Sequence, residues 1–175
     1  REDELVERLV DKVRRSSKEV RDRAEEMVRR NEKLVRDVEE DLDRLVEENK
    51  KLVDSVSRLR GEKAEEAVRR SKKVVDDIRE RVKRALDRSR KVVEESREEL
   101  ERLLKRDKEL VDEIKERVRI KEVVDRLREL VERSEKDVRK VVEEDKRITD
   151  KLEKRVREVV KRNEEITDEL RERVR

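Results

Sequence analysis

Apolar residues recur along this chain with one template. Counted from Ser71, the next members are Val74, Val75, Ile78, Val82, Ala85 and Leu86, and the count closes on Ser89, 18 residues from its start. The same offsets from Asn31 give Leu34, Val35, Val38, Leu42, Leu45 and Val46 before Asn49, and from Asp145 they give Ile148, Thr149, Leu152, Val156, Val159 and Val160 before Asn163. At about 100° per residue these positions fall on one stripe of a helix roughly 120° wide, enough to face two neighbours. Eighteen residues are five turns at about 3.6 residues per turn, so the stripe drifts to neither side and the helices should run nearly straight.

Two breaks in phase place the connections. Continued by 18 from Asp107, the template calls for its next reference at position 125, yet the downstream stripe is referenced at Leu127. A two-residue slip turns the stripe by about 200°, so a turn near Arg117 to Ile120 is expected. The reference also moves from Asn49 to Ser71, a rotation of only about 40°, and there the single glycine, Gly61, supplies the turn because it takes a left-handed backbone without strain. Arg58 and Arg60 before it and Glu62, Glu65 and Glu66 after it suit the dipoles of a helix ending and a helix starting.

The expected fold is therefore all-α: an up-down-up antiparallel three-helix bundle of long, nearly straight helices, roughly Asp3 to Leu59, Glu62 to Arg117 and Lys121 to Val174, forming a single domain over 1–175. At about 1.5 Å per residue its length would be about 80 Å. If the chain folds back at the two turns, residues at one level are equidistant from a turn. Asn31 and Ser89 are equidistant from position 60, as are Asn49 and Ser71; Ser71 and Asn163, like Ser89 and Asp145, are equidistant from position 117. This predicts one polar layer of Asn31, Ser89 and Asp145 with Thr149 nearby, and another of Asn49, Ser71 and Asn163 with Thr167 nearby. Such layers penalise wrong registers, in which a buried polar group would lose its partner. Asp107 faces Val13 and Leu127 in this scheme, with Ser16, Ser17 and Ser134 displaced along the axis, so it is expected to reach solvent or a cation. Ser96, opposite Ala24, reads as a tolerated small residue.

Composition narrows the function. Of 175 residues, 61% are Asp, Glu, Lys or Arg, and there is no Pro, Cys, His, Phe, Tyr, Trp or Gln. Without cysteine there is no disulfide or thiolate nucleophile, and without histidine the usual general base and the commonest metal ligand are missing. Di-metal bundles place Glu and Glu-x-x-His on their inner faces; here the inner face carries Asn, Ser, Thr and Asp, so no metal site, cofactor or catalytic residue is assigned. The 55 basic and 52 acidic residues, net +3, are interleaved within each turn and no aromatic residue accompanies them, which excludes the one-signed stripe a nucleic-acid binder needs. No apolar run is long enough to cross a membrane and no signal-peptide pattern opens the sequence. A soluble chain is expected, cytoplasmic on recombinant expression, with no location otherwise indicated.

The segments Asn31 to Val38, Asn49 to Val56, Ser71 to Ile78, Asp145 to Leu152 and Asn163 to Leu170 resemble de novo designed, parametrically generated helical bundles with an 18-residue repeat and buried hydrogen-bond networks. That resemblance implies a stable scaffold without natural activity, and it transfers no functional residue. Spectrin-like three-helix repeats are the natural alternative, and the lack of aromatic residues counts against them. Two roles are open to such a chain: a monomeric structural rod that needs no partner, or a component of a homo- or hetero-oligomer whose helices pair or exchange at Gly61.

Overall fold

The computed structural model covers the 175-residue chain and describes every residue except Arg1, Ser57 and Arg175, with the side chains of Glu2 and Asp3 also left aside. Three helices account for nearly all of it: α1 (Glu2–Val56), α2 (Glu62–Arg117) and α3 (Lys121–Val174), with no strand among the described residues. A chain without proline, and with its one glycine in a connector, has nothing to interrupt a helix for more than 50 residues.

The first connector differs from the expected one. α1 ends at Val56, three residues before Leu59, and Ser57 within that stretch lies outside the described residues. Two i→i−3 bonds tighten the chain there, Arg58 N–H to Ser55 O at 3.2 Å and Leu59 N–H to Val56 O at 3.0 Å. The Ser55 hydroxyl also donates to Leu52 O at 2.7 Å, occupying a carbonyl in the final turn. Arg58 and Arg60 thus belong to the connector, and the last turn of α1 carries no basic residue. Gly61 has φ +69°, and its carbonyl accepts from Ala64 N–H at 3.1 Å and Glu65 N–H at 3.2 Å, so it both reverses the chain and caps α2.

The second connector is Val118, Arg119 and Ile120, where the phase slip places it. No non-glycine residue described here has a positive φ, so the reversal uses ordinary backbone conformations. Val118 anchors it: its N–H donates to Ile114 O at 2.7 Å, and its side chain is buried with Ile114, Leu127 and Val131. An apolar anchor replaces the usual glycine or asparagine.

The chain forms two compact units. Unit 1 consists of Arg1–Asn31 and Lys91–Arg147, unit 2 of Glu32–Arg90 and Ile148–Arg175, so all three helices contribute to each. In unit 1, Val13 packs with Val111, Ile114, Leu127 and Val131; further along α1, Val20, Ala24 and Met27 meet Leu104, Leu100 and Val138. Numbers rise on α1 and α3 while they fall on α2, which makes the packing up-down-up. Unit 2 repeats the pattern, with Leu42 and Leu45 against Ile78, Val82, Leu152 and Val156, then Val56 against Ala67 and Leu170.

Candidate functional site

In unit 2 the residues interrupting the apolar stripe bond to one another. Asn49 Nδ2 donates to Asn163 Oδ1 at 2.9 Å, Ser71 Oγ donates to Asn49 Oδ1 at 2.6 Å, and Ser71 Oγ lies 2.9 Å from Thr167 Oγ1. Asn163 Nδ2 in turn donates to Val159 O at 2.7 Å on its own helix. Each hydroxyl has one hydrogen. With that of Ser71 given to Asn49, the contact with Thr167 requires Thr167 to donate, and the bonds then run one way: Thr167 to Ser71 to Asn49 to Asn163 to Val159. The alternative Thr167 bond, to Asn163 O at 3.0 Å, competes for the same proton. All four side chains are buried, so their polarity is spent internally. Ser89 and Thr149 form a further buried pair in this unit, their hydroxyls 2.8 Å apart.

In unit 1, Asn31 Nδ2 donates to Asp145 Oδ1 at 2.8 Å and to Asp145 O at 3.3 Å, both residues being buried. Of the residues expected around Asn31, Asp145 bonds it directly in unit 1, and Ser89 and Thr149 bond one another in unit 2. Ser96 is buried in unit 1.

Asp107 corrects the sequence reading. It does not reach solvent, being 1% exposed, and one carboxylate oxygen accepts from the Ser16 hydroxyl. Ser16, expected some way along the axis, is a direct partner because side chains lean toward the N-terminus of their own helix. On antiparallel α1 and α2 that brings together residues whose Cα atoms lie at different levels. Burial pushes the Asp107 carboxyl above the usual aspartate range, while the Ser16 hydrogen bond and the Arg106 charge act against the rise and Glu19 adds to it.

Some of the charged side chains outside these interiors form ion pairs. Interhelical ion pairs include Arg23 with Glu99 at 3.0 Å and Lys108 with Glu135 at 3.1 Å in unit 1, and Arg90 with Glu153 at 3.0 Å and Arg79 with Glu164 in unit 2. Arg90 holds the Glu153 carboxyl below its usual range. A surface groove of about 300 Å³ between α1 and α2 of unit 2 has an apolar floor that includes Leu34, Val38 and Ala85. Part of its charged edge is engaged, Asp41 with Arg44 and Arg81, and Arg84 with Glu80. Among the described residues, no group of three or more His, Cys, Asp or Glu is placed to hold a metal ion, and no helix is long and apolar enough to cross a membrane.

Fold and interior together define the class: an all-α three-helix bundle in which polar side chains interrupt an aliphatic core. No protein-family model and no curated protein matches the chain. Among solved structures, a computationally designed three-helix bundle aligns with 98% of this chain and 89% of its own length, at a TM-score of 0.62 and 20% identity, a likeness of fold.

Proposed function

We propose that the chain is a de novo designed structural scaffold with no catalytic role, its buried polar side chains serving to fix the register of the helices. The observation that carries this reading is the closed network of Asn49, Ser71, Asn163 and Thr167. A binding or catalytic site presents unsatisfied donors, acceptors or nucleophiles to a ligand. In this network the polar groups are directed at each other, where their main effect is to disfavour misaligned helices. The 18-residue repeat and the likeness to a designed bundle support the same reading.

A second reading, a component of a larger assembly, is favoured by Leu5 and Ile120, large apolar side chains 49% and 45% exposed. Light scattering coupled to size-exclusion chromatography separates the two. The scaffold reading expects a monomer of 21.4 kDa across the concentration range. A stable multiple of that mass would replace it with the assembly reading.

A further inference from the structure

Among the described residues of unit 1, three buried side-chain oxygens have no hydrogen-bond partner within the chain: Ser17 Oγ, Asp107 Oδ2 and Ser134 Oγ. They come from three different helices and occupy equivalent places. Ser17 lies on α1 between Val13 and Val20, Asp107 on α2 between Leu104 and Val111, and Ser134 on α3 between Val131 and Val138. In each case one flanking residue belongs to the apolar cluster around Leu127 and the other to the cluster around Leu100. The three residues, each at most 2% exposed, therefore mark one polar level between two apolar clusters. Side chains lean toward the N-terminus of their own helix, so Asp107 on antiparallel α2 leans along the bundle toward the serines of α1 and α3.

An ionised carboxylate at this level would leave one oxygen without a donor in an apolar surrounding, an expensive arrangement. A metal cation would find a single carboxylate and, close by, the positive charge of Arg106. A proton resolves the level with the atoms present: it turns Oδ2 into a donor that a serine hydroxyl can accept, while Oδ1 keeps the Ser16 bond. We propose that Ser17, Asp107 and Ser134 form a buried proton-binding site, in which a proton held on Asp107 Oδ2 is shared with a serine hydroxyl.

Arg106, the cation whose charge reaches Asp107, is itself paired. On α1, Glu19 pairs with Arg106 at 3.6 Å, and Lys12 and Arg15 line the outer groove with Glu109 and Glu113 of α2. Arg106 also reaches Ser16 Oγ at 3.3 Å, and Lys108 of α2 is held by Glu135 of α3 at 3.1 Å, which also binds Arg139 at 2.8 Å. Burial, which raises the Asp107 pKa, is the largest of the influences on it. A carboxyl raised on folding contributes stability below its unfolded pKa and loses it as pH rises through the folded value. Acidification should therefore favour this level.

The test is carboxyl carbon NMR on the full chain, labelled at aspartate and titrated through the acidic and neutral range. We expect one aspartate resonance to titrate clearly above the exposed ones and to be absent from Asp107→Asn. Removing the acceptors in Ser17→Ala plus Ser134→Ala should shift that resonance. In urea unfolding, the advantage of the parent over Asp107→Asn should grow as pH falls. Titration of Asp107 together with the exposed aspartates would overturn the proposal without any variant having to fold. So would indifference to the double serine change. A titration midpoint that drops in sodium chloride but not in tetramethylammonium chloride would assign the site to a small cation instead.

Discussion

Asn31 and Asp145 show what one buried polar contact is worth in this core. Asp145→Leu removes the acceptor 2.8 Å from Asn31 Nδ2, and a donor stripped of its side-chain partner should cost about 1 to 3 kcal/mol. Asn31→Leu with Asp145→Leu replaces both members of the pair by apolar groups, so the double variant should cost less than the two single changes added together. A double-mutant cycle in urea checks both. Leu127, fully buried in the cluster with Val13 and Val131, is the apolar counterpart, and Leu127→Ala should cost about 2 to 5 kcal/mol by the same measurement. The difference between these residues explains what could be read in advance. Which positions face inward follows from helical periodicity alone, so the burial of Leu127 and of Asn49 was legible. Which atoms touch depends on side-chain reach and lean, and for that reason Ser16 was not recognised as the partner of Asp107.

At the scale of elements, the two connectors carry separable predictions. A Cβ at Gly61 would meet nothing within 4 Å, so Gly61→Ala carries only the backbone cost of the left-handed conformation, about 1 to 2 kcal/mol in urea unfolding. Ile120 precedes the first residue of α3 and is exposed, a poor residue for a helix start. Ile120→Ser should let a side-chain oxygen accept from the first turn and raise stability by about 0.5 to 1 kcal/mol, visible as a higher Tm. Helix extents were legible because the stripe changes phase between Asp107 and Leu127 and the only glycine stands between Asn49 and Ser71. The early end of α1 was not, because it depends on the Ser55 hydroxyl and two tight backbone bonds that periodicity does not encode.

For the molecule as a whole, charge should matter less than its abundance suggests. Most ion pairs are exposed and join long flexible side chains, so raising salt to about 1 M should move the urea midpoint only slightly. Glu153 sets the opposite pH trend to Asp107: its carboxyl, lowered by Arg90, contributes stability above its unfolded pKa and loses it as pH falls through the folded value. The up-down-up order was legible because two chain reversals leave few ways to bury three stripes.

One spacing appears in both units. Asn31 bonds Asp145 and Asn49 bonds Asn163, each pair 114 residues apart in the chain. α1 and α3 are thus compared at two stations with the same offset. A displacement of α3 by one turn would fail both comparisons together, whereas a purely aliphatic seam would accept it with little complaint. The repeated interval behaves as a parity check written into the chain, in which one alignment satisfies both stations and a shifted one is rejected twice.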